Sequence, residues 1–289
     1  MRFALVINPT SGRRKGAAIG AEATALLKAA GHEVISLQGE NASDARDQLK
    51  QAIDRGLDSV VVVGGDGALH AVLDRIADSD LTFGLIPAGT GNDTARTLGI
   101  PRKDAKAAVD ILLKAKTRTI DLALAGEAFV ATVVASGFDS KVNERANAMT
   151  WPRGNMRYNI AILAELKVFE PLHFSIDLDG ERIERDAMLV AVGNGPSFGG
   201  GLRMCEGAVL DDGYLDVVII NPLSKIELLK VFPKLSKGTH VSHSCYEHHL
   251  AKKVTIDSPG IVAYGDGERL GALPITISAC PGLLRVFVP

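Results

Sequence analysis

The sequence predicts an α/β protein in two domains: an N-terminal α/β layer domain with a mostly parallel sheet over residues 1–120, and a C-terminal β-rich, largely antiparallel domain over residues 121–289. Three observations carry this. Up to Lys114, short apolar runs alternate with stretches of helical periodicity. Beyond Thr119 the apolar runs are mostly separated by turn residues, as at Asp179-Gly180 and Asp212-Gly213, rather than by helices. Glycine-rich loops close two neighbouring strands of the first half, and such loops converge on one crevice at the carboxyl edge of a parallel sheet.

Phe3 to Ile7 reads as a buried strand, followed by a helix over Ala17 to Ala30 that Gly31 terminates. His32 to Leu37 is a second strand. Ser43 is the expected N-cap of a helix over Asp44 to Arg55. Val60-Val61-Val62-Val63 is a strand buried on both faces, and Leu69, Val72, Leu73 and Ile76 mark one helix after it. Leu81 to Ile86 is the next strand, with helices at Thr94-Ala95-Arg96 and over Lys103 to Lys114. In the second half, strands are expected over Thr119–Leu124, Phe129–Ala135, Leu172–Leu178, Arg182–Val192, Leu215–Ile220, Lys253–Asp257 and Pro274–Ile277. Helices are expected over Tyr158–Phe169 and Ser224–Leu235.

The chemistry concentrates in the loops. In Gly64-Gly65-Asp66-Gly67-Ala68 the glycines let backbone N–H groups approach phosphate, and the following helix presents its positive end. Asp66 would repel a bare phosphate, so its presence points to Mg²⁺ between them; the alternative is a tight strand-to-helix turn with no ligand. Asn8-Pro9-Thr10-Ser11-Gly12, with Arg13, Arg14 and Lys15, offers hydroxyls, a glycine and cations suited to a triphosphate, or is a solvated turn. Pro87-Ala88-Gly89-Thr90-Gly91-Asn92-Asp93 is a second loop of this kind. Far along the chain, Gly265-Asp266-Gly267-Glu268 sets two carboxylates on one face if it is extended. One can accept a hydroxyl proton while the other orients it or joins a metal network; the alternative is an ordinary Asp-Gly turn. Val209-Leu210-Asp211-Asp212-Gly213-Tyr214 can hold Mg²⁺ or Ca²⁺, or is a hairpin turn. His240, His243, Cys245, His248 and His249 cluster without matching a zinc pattern, and read best as polar residues of an exposed loop.

Other classes are excluded. There is no G-x-x-x-x-G-K-[ST], no G-x-G-x-x-G after a first strand, no protein-kinase signature set and no G-x-S-x-G. A net charge of −2 argues against nucleic acid as a partner. Three scattered cysteines fit a reducing compartment. Met1 to Ile7 is too short for a signal peptide, and no apolar run approaches ~20 residues.

Together these residues resemble the diacylglycerol kinase catalytic-domain superfamily, which includes bacterial soluble lipid kinases and is related to sphingosine and ceramide kinases. Gly64-Gly65-Asp66-Gly67 resembles its GGDGT signature, and Pro87 to Asp93 with Arg96 its P-x-G-T-x-N-D-x-x-R loop. Gly193-Asn194-Gly195 through Gly199-Gly200-Gly201, Leu210-Asp211-Asp212-Gly213 and Asp266-Gly267-Glu268 resemble its second-domain motifs. The resemblance implies an NAD-kinase-like N-terminal domain and ATP-dependent phosphorylation of a lipid hydroxyl in the interdomain cleft. It implies that Glu268 is the general base with Asp266 beside it, and that Asp66, Asp93 and Asp121 organise catalytic Mg²⁺. Asn8, Thr10, Ser11, Gly12, Arg13, Thr90, Gly91, Asn92, Arg96 and the Gly64–Ala68 loop would hold ATP. A structural Mg²⁺ maps to the Asp212 side chain and the carbonyls of Val209 and Tyr214. The chain departs from the pattern at Ala68, His70, Gly39 and Cys205-Glu206-Gly207-Ala208. An NAD kinase and a catalytically silent nucleotide- or lipid-binding regulator stand as alternatives.

Trp151-Pro152-Arg153-Gly154-Asn155-Met156-Arg157-Tyr158 joins the sole tryptophan to two arginines. Leu223 to Lys237 sets Lys225, Lys230, Lys234 and Lys237 beside Ile226, Leu229 and Phe232. Both suit transient peripheral contact of a cytoplasmic protein with the inner membrane surface, or are ordinary helix faces. A homodimer stays open.

Overall fold

The computed structural model describes residues 1–152 and 155–289, without the side chains of Arg13, Asn155 and Asn159. Its first half runs β1 (Arg2–Ile7), α1 (Ser11–Arg14), α2 (Gly16–Ala29), β2 (Glu33–Leu37), α3 (Ala42–Asp54), β3 (Ser59–Gly64), α4 (Asp66–His70), α5 (Leu73–Ala77), β4 (Thr82–Pro87), α6 (Asp93–Thr97) and α7 (Ala105–Lys114). The four strands are parallel, in the order β2-β1-β3-β4. Every residue of β3 and β4 is buried, as a central parallel strand covered on both faces requires. Asn41, not Ser43, caps α3: its side chain accepts the Asp44 N–H. The single helix expected through Leu69 and Ile76 is broken at Ala71–Val72 into α4 and α5, and Leu69, Leu73 and Ile76 are still all buried.

The second half runs β5 (Thr117–Ala125), β6 (Ala128–Val130), β7 (Val133–Gly137), α8 (Phe138–Ala148), α9 (Asn155–Val168), β8 (Leu172–Leu178), β9 (Glu181–Ala187), β10 (Leu189–Gly193) and β11 (Leu215–Ile220). It continues through α10 (Lys225–Leu235), β12 (Tyr246–Ala251), β13 (Lys253–Asp257), β14 (Val262–Gly265), β15 (Glu268–Ala272) and β16 (Ile275–Phe287). Among the described residues, β12-β11-β10-β7-β14-β15 form an antiparallel six-stranded sheet. Its strands alternate between two cores. Val134, Val190, Val192 and Val217 pack in a sandwich against β8, β13 and β16, while Val133, Ala135, Leu189, Ala191 and Val218 face α8, α9 and α10. With both faces covered, an antiparallel sheet acquires the continuous apolar runs usual in parallel ones.

Two expected strands are divided. Phe129–Ala135 becomes β6 and β7, with Ala131 and Thr132 between them. Arg182–Val192 becomes β9 and β10, where the chain passes from one layer of the sandwich to the other at Met188. Pro274–Ile277 is the start of a much longer strand. β16 first pairs with β13, then shifts register between Cys280 and Leu284, and finally lies parallel to β4 at Val286–Phe83. One strand therefore ties the second half back into the parallel sheet. The latter part of the histidine-rich stretch, including His248 and His249, is edge strand rather than loop: β12 pairs with β11 along its whole length.

Candidate active site

Three loops leave the carboxyl ends of β1, β3 and β4 and pack against one another. An ideal Cβ at Gly12 would sit 2.2 Å from the Ala88 carbonyl oxygen, and one at Gly89 would sit 2.5 Å from Gly65 Cα. Glycine is required at both positions because backbone meets backbone there. Asn8 Oδ1 accepts from Thr10 N and Oγ1, at 3.1 and 2.8 Å, and Ser11 Oγ lies beside Gly64. Asn92 has φ +54° and exchanges two hydrogen bonds with Gly89 through its amide, fixing the second glycine loop. Thr90 is exposed on that loop. The Arg13 side chain lies outside the described residues. Of the departures, Gly39 has a packing reason: a Cβ there would lie 2.3 Å from Ala45 N in the first turn of α3. Ala68 lies beside Gly64, whose missing Cβ makes room for its methyl.

Asp66 stands where these loops meet. Its two oxygens accept the Asp93 and Thr94 N–H groups, each at 3.1 Å, which locks the carboxylate. Asp93 is buried beside it; a Cβ on Gly91 would lie 3.1 Å from Asp66 Oδ2 and 3.5 Å from Asp93 Oδ2. The second half closes over this pair. Gly200 N–H donates to Asp93 Oδ2 at 2.6 Å, and Arg96 lies 3.5 Å from Asp93 while donating to the Gly200 carbonyl. Burial raises the Asp93 carboxyl above its usual range; the Gly200 bond opposes this and the Asp66 charge adds to it.

The Asp-Gly-Glu segment is not extended. Asp266 and Gly267, with φ +51° and +88°, form a two-residue turn between β14 and β15. Asp266 points inward and accepts from Ala131 N, Thr132 N and Thr132 Oγ1 at 2.7, 2.9 and 2.5 Å. Its oxygens are spent on holding the hairpin to the β6–β7 connection, and burial pushes its carboxyl upward. Glu268 begins β15 on the other side of the turn, is exposed, and reaches across to the first half: a Cβ on Gly67 would lie 2.8 Å from its Oε1. Asp66, Asp93 and Glu268 therefore meet, although Asp66 and Glu268 stand 202 positions apart.

Asp121 does not join them. Its oxygens accept the N–H groups of Gly213 and Gly282, at 2.8 and 2.7 Å, so it braces the register shift of β16 against the Asp212 turn. That turn closes on itself through Tyr214 N to Asp212 Oδ1 at 2.9 Å. The histidines are engaged separately: His240 with the Met204 carbonyl, His248 with Asp216, His249 with Glu247, and His243 with Cys245 N. Among the described residues no group of three or more His, Cys, Asp or Glu side chains could hold a metal by itself.

Sequence reasoning missed α8 and the cavity it lines. A space of about 650 Å³ starts at Asp66, Gly67, Asp93 and Glu268 and runs between the helices and the six-stranded sheet. Its far part is lined by residues such as Val142, Ile162, Leu189, Leu228, Val231 and Phe232. The apolar periodicity of α10 was visible in the sequence, but nothing showed that part of its apolar face lines a void.

Two family models match the chain: the diacylglycerol kinase catalytic domain over residues 2–125, and the YegS C-terminal NAD kinase beta sandwich-like domain over residues 132–288. The diacylglycerol kinase of Mycobacterium tuberculosis (strain ATCC 25618 / H37Rv) is 46% identical over 290 residues, covering 98% of this chain and 93% of that protein. The diacylglycerol kinase of Bacillus subtilis (strain 168) is 28% identical, covering 94% and 91%. Two crystal structures from Bacillus anthracis str. Sterne share the fold over 100% of this chain and 95% and 97% of theirs, with TM-scores of 0.83 and 0.75 at 23% and 21% identity. With its glycine loops, its opposed carboxylates and these relatives, the chain belongs to the diacylglycerol kinase family and is an ATP-dependent lipid kinase with an alcohol as phosphoryl acceptor.

Proposed function

We propose that the lipid accepted is a diacylglycerol, and that Glu268 takes the proton of its free hydroxyl. The observation that supports this most directly is the continuity of one cavity from Glu268 to apolar walls. An acceptor hydroxyl beside Glu268 then has its chains in a dry space, where each buried methylene contributes roughly 0.8 kcal/mol. A dinucleotide acceptor would leave polar groups against those walls, which disfavours NAD. ATP would lie on the opposite side of the carboxylates, with its phosphates against the Asn8–Gly12, Gly64–Ala68 and Ala88–Asn92 loops and Arg96. The Asp121 and Asp266 carboxylates act as braces: one holds the β16 register shift, the other the hairpin that aims Glu268.

Asp66 and Asp93 suit Mg²⁺, which is commonly held by one or two carboxylates plus substrate phosphates rather than by a cage of protein ligands. Bound there, the ion would neutralise charge on the transferring phosphoryl group. A second ion at the Asp212 turn would use Asp212 and the carbonyls of Val209 and Tyr214.

Peripheral docking on the inner membrane surface of the cell fits the same helices. The inner faces of α9 and α10 line the cavity with Ile162 and Leu228, while Leu163, Ile226 and Leu229 are exposed, as is Trp151. Arg153 lies outside the described residues. Among the described residues no helix is long and apolar enough to cross a membrane. Labelled ATP supplied with dioleoylglycerol should yield labelled phosphatidic acid; label in NADP, or in no product, would reject the assignment. Leu163→Glu with Leu229→Glu should reduce sedimentation with anionic vesicles about tenfold, and unchanged sedimentation would reject the docking face.

A further inference from the structure

The cavity contains a polar pair that phosphoryl transfer does not use. Asp139 and Asn143 lie one turn apart on α8, and both line the cavity amid Phe138, Val142, Ile162 and Leu189. Asn143 Nδ2 donates to Asp139 Oδ2 at 3.0 Å and also lies 3.1 Å from the Asp139 carbonyl. Asp139 Oδ1 and Asn143 Oδ1 have no hydrogen-bond partner among the described residues. The pair is not needed to start the helix, because Ser140 Oγ accepts the Gly137 N–H. Nor does it hold the catalytic hairpin, which α8 grips through Glu144 and Asn147 on Tyr264. Both residues are partly buried and open to the cavity, so an apolar chain covering these oxygens would desolvate them at a cost that a ligand's polar group placed there removes.

This inference rests on the diacylglycerol reading above. An acceptor with its hydroxyl at Glu268 and its chains at the far walls carries its backbone oxygens between the two. An ester carbonyl can only accept a hydrogen bond, so the protein must donate. Burial, opposed by Asn143, pushes the Asp139 carboxyl up to about 7, so the neutral acid, a donor, is well populated. The other titratable groups on the cavity are Asp66, Asp93, Asp266 and Glu268 at the polar end, Tyr158 on α9 and Tyr264 on β14. On the α8–α9 contact Arg145 pairs with Glu165, and on α8 itself Lys141 and Glu144 are not among the cavity-lining residues. Burial and Asn143 account for the shift. We propose that Asp139, positioned by Asn143, donates a hydrogen bond to an ester carbonyl of the acceptor and so makes the enzyme select diacyl over dialkyl glycerol.

The test compares kcat/KM for 1,2-dioctanoylglycerol and 1,2-dioctylglycerol, its ether counterpart, at pH 6 and pH 8.5. In the wild type the ester should be favoured about five- to tenfold at pH 6, as one net hydrogen bond allows, and the preference should shrink at pH 8.5. Asp139→Asn keeps a donor, so its preference should persist at both pH values. Asp139→Leu should favour neither lipid. An ester preference absent from the wild type at pH 6, or retained by Asp139→Leu, overturns the assignment. If Asp139→Leu does not fold, the Asp139→Asn profile decides: a preference that still fades at pH 8.5 overturns it. Phosphorylation of a sphingoid base in preference to both lipids, emerging above pH 7, would assign Asp139 to an ammonium group instead. Phosphorylation of neither glycerolipid by the wild type would reject the underlying lipid assignment rather than the role of Asp139 alone.

Discussion

The two ends of the cavity are built differently. At the polar end, backbone sets the geometry: Gly65 packs on Gly89, Gly12 on Ala88, and the Asp266-Gly267 turn places Glu268. A single methyl there meets backbone or the Glu268 carboxylate. At the apolar end, exchangeable side chains on α8, α9 and α10 set the shape, and loss of one changes volume more than geometry. Positions at the polar end are therefore singular, while those at the apolar end are collective.

That contrast can be broken or sharpened by four substitutions. Glu268→Gln is expected to lower kcat about 10²- to 10⁴-fold with an unchanged melting temperature, because the amide cannot accept the hydroxyl proton; a loss under threefold would move the base elsewhere. Gly67→Ala should lower kcat by about 10²-fold without unfolding, since its methyl would displace the mobile end of Glu268 from a position 2.8 Å away. Asp266→Asn should act on stability: an amide donor turned toward the N–H groups of Ala131 and Thr132 costs about 1–3 kcal/mol, read from urea melts. Val231→Ala, at the apolar end, should raise KM only about threefold for long-chain lipid, and equality with the Gly67→Ala effect would erase the distinction between the ends.

A fifth expectation concerns pH. The folded-state pKa of Asp139 lies above the unfolded value, so its contribution to stability is full below about pH 4 and declines as pH rises to about 7. The melting temperature of Asp139→Asn relative to wild type should therefore climb between pH 4 and pH 7 and then level off. A flat difference would show that Asp139 is not buried as a neutral acid.

Much of this was legible beforehand, for local reasons. The run Val60 to Val63 and the two glycine loops fix strand and turn from nearest neighbours, and the structure joins those loops as expected. Lys253–Asp257 and Leu215–Ile220 were read to the residue because turns bound them. The failures share a different cause. Tyr246–Ala251 looked like a polar loop because His248 and His249 find Asp216 and Glu247 only after β12 pairs with β11. The strand expected over Pro274–Ile277 runs on to Phe287, because the register shift absorbs Pro281-Gly282 and Asp121 accepts the Gly282 N–H. The polar helix Phe138–Ala148 shows weak periodicity because Asp139 and Asn143 face a cavity rather than solvent or core.

By itself the sequence determined where glycine loops close strands and where carboxylates sit in tight turns, since both are properties of a few adjacent positions. Only the tertiary structure decided that Asp66 and Glu268 oppose each other, that Asp121 braces instead of joining them, and that a void reaching past Asp139 and Asn143 extends beyond. Each of these depends on which backbones pack together across hundreds of residues, and no local pattern encodes an empty space.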